Sequence, residues 1–234
     1  KKTIPPLNLT TMKNLSNRQK DREMIISFMT IRRAVGILGI ILPIIVSLGG
    51  LLFDRQCRQL QASISDYYYT VTGSFFVGTL CAVGLFLYTY RGYDPIDNIL
   101  SSLAGVFAVG IAFFPTDACR NCLSCNILTR DPNPVTNTIH YICAAAFFLI
   151  LAYMSLFLFT RSDVKGKLPA AKRKRNIVYR ISGIVMVIAL ILILSLKIFP
   201  AFKTKLELYH PVFWFELIAL WSFGTSWLTK GLPG

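Results

Sequence analysis

The chain has 234 residues, of which 54% are apolar and only 15% charged, with a mean hydropathy of +0.55. A soluble domain carries roughly a quarter charged residues, so this composition excludes an ordinary soluble fold. The formal net charge is +14, yet the basic runs carry no interleaved aromatic residues and come with no nucleic-acid-binding fold, which argues against a nucleic-acid partner.

Residues 1–28 are largely polar and lack the apolar core of a signal peptide. They read as a cytoplasmic segment ahead of a membrane domain over 29–231. "SNRQKDREMIISFM" has the composition of an amphipathic surface helix. Ser16 would cap it, with Gln19 three residues on as a capping box requires. The opening residue is Lys1 rather than Met, which suggests further residues upstream.

A hydrocarbon core about 30 Å thick takes roughly 20 apolar residues per helix. Six stretches reach or approach that length: 32–53, 71–90, 98–115, 138–160, 181–199 and 211–229. None alternates apolar and polar residues as a barrel strand would. The expected fold class is therefore all-α, a polytopic membrane protein built as a six-transmembrane-helix bundle. Ala104, Ala108 and Ala112 make a small-residue ridge that permits close helix approach and would set the third helix at the centre. Gly73, Gly78 and Gly84 do the same for the second.

Lys and Arg accumulate on the cytoplasmic side of membrane proteins. Of the 25 here, eight lie at or before Arg33 and eight between Arg161 and Arg180; with Arg91 and Lys230, 18 fall on one side. The chain is thus expected N-in and C-in, as a multi-pass protein of the plasma membrane. The run Lys172, Arg173, Lys174, Arg175 would contact anionic lipid or a partner. "YRGYDPIDN" reads as a tight turn whose Asp94 or Asp97 would latch onto Arg173 or Arg175.

Cys81 and Cys143 fall inside helices, where thiols pack as small apolar groups. Cys57, Cys119, Cys122 and Cys125 fall in the two loops placed outside, where oxidising conditions favour two disulfides in any of three pairings. "CRNCLSC" with Cys57 also has the spacing of a four-thiolate zinc site. Both readings stay open.

Six further polar residues gather near the outer face: Asp66, Asp117, His140, Lys197, His210 and Glu216. An ionisable residue inside a span usually faces the bundle and has a partner, so Glu216 is expected to meet Lys197 or His140. Glu216, His140 and Asp66 are the candidate catalytic groups. Tyr67, Tyr68, Tyr69, His210 and Lys197 are the candidate ligand-binding ones. In "SISDYYYT" three tyrosines in succession would fan over about 200° of a helix, so at least one points inward, with Asp66 capping the next helix. A zinc set of His140, His210 and Glu216 or Asp66 is disfavoured, because positions 210 and 216 project to different faces.

There is no phosphate-cradling glycine loop, no GxSxG and no HExxH, so no cofactor, metal or catalytic motif is assigned. Were the chain an enzyme, it would be a membrane-embedded lipid hydrolase or transferase. The expectation is binding or remodelling of a lipid or amphiphile in an outward-facing intramembrane pocket. The alternative is a non-enzymatic sensor, scaffold or effector acting through its basic loop. Expected partners are membrane lipids, with a protein at the cytoplasmic face and a homo-oligomer left open.

The ordered set "SISDYYYT", "FFVGTLCAVGLFLYTYRGYD", "LAGVFAVGIAFFPT", "IHYICAAAFFLILAYMSLFLF", "RKRNIVYRISGIVM" and "ELIALWSFGTSWLTKG" resembles, over about residues 30–231, a group of bacterial six-helix membrane proteins. That group is similar to the Frag/DRAM/Sfk-like family and its domain-of-unknown-function relatives. The resemblance implies a bacterial inner-membrane location. Relatives often carry an Arg-Asp pair where this chain has Gly73 and Ser74, which puts a charge-based mechanism there in doubt. A more distant similarity to ceramidase and progestin-receptor-type membrane hydrolases implies a lipid-facing bundle; with two histidines in the chain, it supplies no catalytic site.

Overall fold

The computed structural model describes residues 9–54, 58–92, 94–117, 128, 133–162, 169–199 and 205–232, with side chains from Phe28 onward except at Glu207. Six long helices dominate: α1 (Leu9–Phe53), α2 (Gly73–Thr89), α3 (Pro95–Phe113), α4 (Pro134–Tyr153), α5 (Ala170–Ile198) and α6 (Pro211–Lys230). Short 3-10 turns at Ser65–Tyr69 and Glu207–Tyr209 precede α2 and α6, and a π-helical turn at Met154–Leu158 extends α4. No strand occurs among the described residues.

Prolines start three of the helices. Pro95, Pro134 and Pro211 sit in the first turn, where the missing N–H would have had no partner and the fixed φ already suits a helix. Asn133 completes the start of α4, its side chain accepting from the N–H groups of Val135 and Thr136.

Four segments are long and apolar enough to cross a membrane: Phe28–Phe53, Pro95–Phe113, Pro134–Leu158 and Ala170–Ile198. Only 28–44% of their most apolar windows is buried within the protein. The uncovered remainder is apolar too. Ile181, Ile184, Ile188 and Ile191 recur at helical spacing on α5 and all are exposed. Such a continuous stripe needs a hydrocarbon solvent rather than water. The protein is a membrane protein. Of the other two expected spans, α2 has 17 residues, and Trp214, Trp221, Trp227, Ser222 and Ser226 lower the hydropathy of α6.

Several expectations are corrected. The N-terminal segment is not a separate surface helix: α1 runs unbroken for 45 residues, about 68 Å at 1.5 Å per residue. Ser16 lies in its interior rather than at its start. The reason is local, since 9–35 contains neither Gly nor Pro and is rich in Lys, Arg, Gln and Met, all good helix formers. α5 likewise starts at Ala170 rather than 181, because the basic run is itself helix-forming.

Helix α3 is not central. Each helix packs on its neighbours in sequence, and α6 closes on α1, giving a ring in the order 1-2-3-4-5-6. Ala104, Ala108 and Ala112 do form a buried ridge on α3, but Leu103, Val106 and Phe113 face outward from the same helix. Two crossings depend on glycine pairs. A Cβ on Gly36 would fall 2.8 Å from the Gly224 carbonyl, and one on Gly224 would fall 2.7 Å from that of Gly36. Gly84 and Gly105 join α2 to α3 in the same way. Phe147 of α4 meets Phe223 of α6 at 5.8 Å between ring centroids, filling the middle of the ring.

Candidate functional site

The up-and-down order gathers 28–33, 90–92, 94–95, 159–162, 169–180 and 226–232 at one end of the bundle, the basic end. The 3-10 turn Ser65–Tyr69, the starts of α4 and α6 and the end of α5 lie at the other, the far end. Polar side chains are buried at both.

At the far end Glu216 and His140 are hydrogen-bonded, whereas His210 Nδ1, Thr116 Oγ1 and Asn137 Oδ1 are buried without a hydrogen-bond partner among the described residues. Glu216 Oε2 accepts from the Ile64 N–H at 2.6 Å. His140 is buried between two loops, with Nδ1 2.8 Å from the Phe114 carbonyl and Nε2 3.1 Å from Ser65 Oγ. A carbonyl only accepts, so Nδ1 carries the proton, and the neutral ring receives the Ser65 hydroxyl on Nε2. Thus α4 and α6 grip adjacent residues, Ser65 and Ile64, of one short segment. Lys197 stands over the Tyr141 ring, 3.2 Å from its centroid. The Glu216 contact with the loop backbone takes the place of the expected pairing with Lys197 or His140.

The tyrosines of "SISDYYYT" divide as a 3-10 turn dictates, at about 120° per residue. Tyr67 and Tyr69 are buried and Tyr68 is half-buried. The Tyr67 hydroxyl accepts from the Gln61 N–H, and its ring packs on Phe213. Burial pushes the Tyr67 phenol above its ordinary value of 10.0. The Tyr69 hydroxyl donates to the Thr116 carbonyl. Asp66 does not cap α2: it lies within the 3-10 turn, its N–H bonded to Ser63 Oγ, and the helix starts at Gly73 beyond a Thr70–Thr72 turn. Asp117 instead holds the start of α4, accepting from Asn133 N–H and Asn137 Nδ2. His210 adopts left-handed φ 48 and ψ 53 before Pro211, a position that proline bars from the right-handed helical region. No three of the described His, Cys, Asp and Glu residues converge as a metal site. Cys57, Cys119, Cys122 and Cys125 lie outside the described residues; Cys81 and Cys143 are free thiols.

The basic end differs in kind. Tyr90, Trp227, Phe159 and Tyr179, from the ends of α2, α6, α4 and α5, form a chain of edge-on rings, with centroids 5.1, 5.4 and 5.5 Å apart. Cations stand on three of the four rings: Arg32 on Tyr90 at 5.3 Å, Lys230 on Phe159 at 5.0 Å and Lys172 on Tyr179 at 5.8 Å. Arg32 also donates to the Tyr90 hydroxyl, and Lys172 to the Phe159 carbonyl. The π turn prepares this arrangement. It brings Ser155 within 2.8 Å of the Tyr179 carbonyl and 2.6 Å of Ser226 Oγ, tying α4, α5 and α6 together. Within the basic run, Lys172 and Arg175 are half-buried, while Arg173 and Lys174 are exposed. For Asp94 the expected latch is corrected: it pairs with Arg161 at 2.8 Å, the nearer end of the same loop.

Sequence reasoning missed Ser65 and Ile64 as the partners of His140 and Glu216, and all four rings of the basic end. The aromatic residues beside Lys or Arg at four helix ends were the available signal. Two open clefts also lie on the outer face of α2 and α3. One, of about 270 Å³, runs along the glycine crossing from Cys81 to Tyr88 and Val109. The other, of about 340 Å³, is lined by Arg91, Asn98, Ser102 and Leu103. Val106 borders both, so they adjoin. Comparison with known protein families, curated proteins and solved structures found no match.

Proposed function

We propose that this is a six-span membrane protein of the plasma membrane, with both termini cytoplasmic, that binds phospholipid along the α2–α3 face and has no catalytic role. The observation that carries this reading is the pair of adjoining clefts, apolar along Gly84, Leu85 and Val109 and ending in Arg91 and Asn98. An acyl chain suits the first part and an anionic headgroup the second. The saturated far-end bonds of His140 and Glu216 count against an outward-facing pocket there. Six spans are supported by the ring: α2 lies between α1 and α3, and α6 between α5 and α1, so each would share the slab its neighbours cross. The basic end as the cytoplasmic one follows from the charge asymmetry.

Lipid carried through purification in mild detergent, counted by mass spectrometry, tests the proposal. Val106→Trp, on the exposed face, should fill the cleft and reduce retained phospholipid severalfold. Arg91→Gln should lower the anionic share of it. Equal lipid in Val106→Trp and the parent would reject the cleft. A second reading, docking of a cytoplasmic protein, is favoured only by the exposure of Arg173 and Lys174.

A further inference from the structure

Resting on the lipid reading of the α2–α3 face, we infer that the lipid held there is a phospholipid of the cytoplasmic leaflet whose headgroup carries one negative charge, a phosphodiester of an uncharged alcohol. The length of the groove, its floor and its polar end carry this. The two clefts line up along the helix axes. On α3 the lining residues Asn98, Ser102, Val106 and Val109 recur at helical spacing, and on α2 Cys81, Leu85 and Tyr88 do the same. Asn98 and Val109 are eleven residues apart, or about 17 Å at 1.5 Å per residue. That is about half of a hydrocarbon core roughly 30 Å thick, the depth of one leaflet. Glycine makes the floor. A Cβ on Gly84 would fall 2.8 Å from Val109 Cγ2, and one on Gly105 would fall 2.5 Å from the Gly84 carbonyl. The exposed side chains of Leu85, Tyr88 and Val106 make the walls. A groove between two helices in such contact takes one acyl chain and leaves the second in the bilayer.

The polar end has one cation. Arg91 is exposed and makes no ion pair among the described residues. Asn98 Oδ1 accepts from the Gly92 N–H at 2.7 Å, which leaves Nδ2 as a donor. The two nearest carboxylates in the chain are turned away from the groove. Asp94 is held by Arg161 at 2.8 Å. Asp97 is buried behind Gly92, where a Cβ would fall 2.5 Å from Asp97 Oδ2. No carboxylate lines the groove among the described residues. One guanidinium fork and one amide donor match the free oxygens and single charge of a phosphodiester. A phosphomonoester would bring a second charge with no cation in the groove to meet it. A choline or ethanolamine headgroup would set its own cation beside Arg91, with no carboxylate there to hold it. Tyr88 stands between Arg91 and the apolar part, the level at which an amphipathic ring sits at the headgroup boundary.

The test uses the full chain in nanodiscs of equal parts phosphatidylglycerol, phosphatidylcholine and phosphatidic acid, at alkaline pH so that the phosphomonoester carries both charges. Native mass spectrometry counts the lipid each molecule retains. The parent should retain phosphatidylglycerol about fivefold over either of the others. Arg91→Gln should lose that preference and keep the number of lipids retained, which separates lost selectivity from lost folding. Arg173→Gln removes an exposed charge outside the groove and should leave the preference as it is. Equal losses in these two variants would overturn the proposal, because surface charge alone would then explain selection. Phosphatidic acid retained as well as phosphatidylglycerol would overturn the single-charge assignment. Val106→Trp tells the two levels apart. Unchanged retention in that variant sinks the lipid reading itself. Reduced retention in that variant, with no phosphatidylglycerol preference in the parent, sinks only the lipid named here. Phosphatidylglycerol with a photoreactive group at the end of one chain should label Val106 or Val109. Labelling spread equally onto Ile184 and Ile188 of α5 would overturn the one-leaflet seat.

Discussion

The two ends of the bundle bury polar groups by opposite rules. At the far end the Glu216 carboxyl meets the Ile64 N–H and His140 lies between the Phe114 carbonyl and Ser65, with His210 Nδ1 and Thr116 Oγ1 left without a hydrogen-bond partner among the described residues. At the basic end like charges are collected and held on aromatic faces. The matched bonds of Glu216 and His140 tie α6 and α4 to one short loop and serve the fold. The cations there tie one helix to the end of another through ring faces, Arg32 of α1 on Tyr90 beyond α2 and Lys230 of α6 on Phe159 beyond α4. The strongest ionisable candidate by sequence, Glu216, bonds the loop backbone at Ile64, while the less conspicuous Lys230 stands on the Phe159 ring.

Variants can break this contrast. The largest effect should come from the scaffold both ends share: Gly36→Val or Gly224→Val drives a side chain into the opposing backbone and should cost about 3 kcal/mol or prevent assembly, read as loss of the monodisperse species. Next, Glu216→Ala strands the Ile64 N–H and should cost about 2 kcal/mol, lowering the melting temperature in nanodiscs, with His140→Ala close behind. Lys230→Gln should have the opposite sign. Relieving crowded charge, it should leave stability unchanged or raise it. A melting temperature that falls as far in Lys230→Gln as in Glu216→Ala would erase the distinction between the ends.

Two smaller effects sharpen it. Arg161→Ala removes an ion pair whose side chains are 48% and 50% exposed; it should cost only about 0–1 kcal/mol. Tyr67, with its phenol raised by burial, should remain protonated while exposed tyrosines ionise. Its contribution to stability is then full below the ordinary tyrosine value and lost only as pH rises through the higher folded one. Ultraviolet titration of the parent against Tyr67→Phe should show no difference over the range where exposed tyrosines titrate.

Helix class, the membrane setting and the approximate places of all six helices were legible, because apolar runs of span length are a signal local to each segment. The alanine ridge on α3 was legible for the same reason. Ring order was not, since a small-residue ridge says that a helix packs closely and not how many neighbours it has. "SISDYYYT" misled on Asp66 because a tyrosine run beside an apolar segment reads as the first turn of that helix; Thr70 and Thr72 close a turn between them instead. His140 and Glu216 were found, but their partners are backbone groups and a serine, which carry no pattern. The basic-end rings come from four helices far apart in the chain, and no local period links Tyr90 to Trp227.

The closing of α6 onto α1 also orders the protein's manufacture. Arg33 and the Gly231 carbonyl that it bonds are 198 residues apart, and Gly36 meets Gly224 across nearly the same interval. During synthesis α1 enters the bilayer before α6, and its small-residue face waits through the insertions between them for its partner. Contacts between sequence neighbours can form as each helix emerges, but this seam is the slow, long-range step. A chain cut short before Lys230 would leave that groove open to lipid or to another α1.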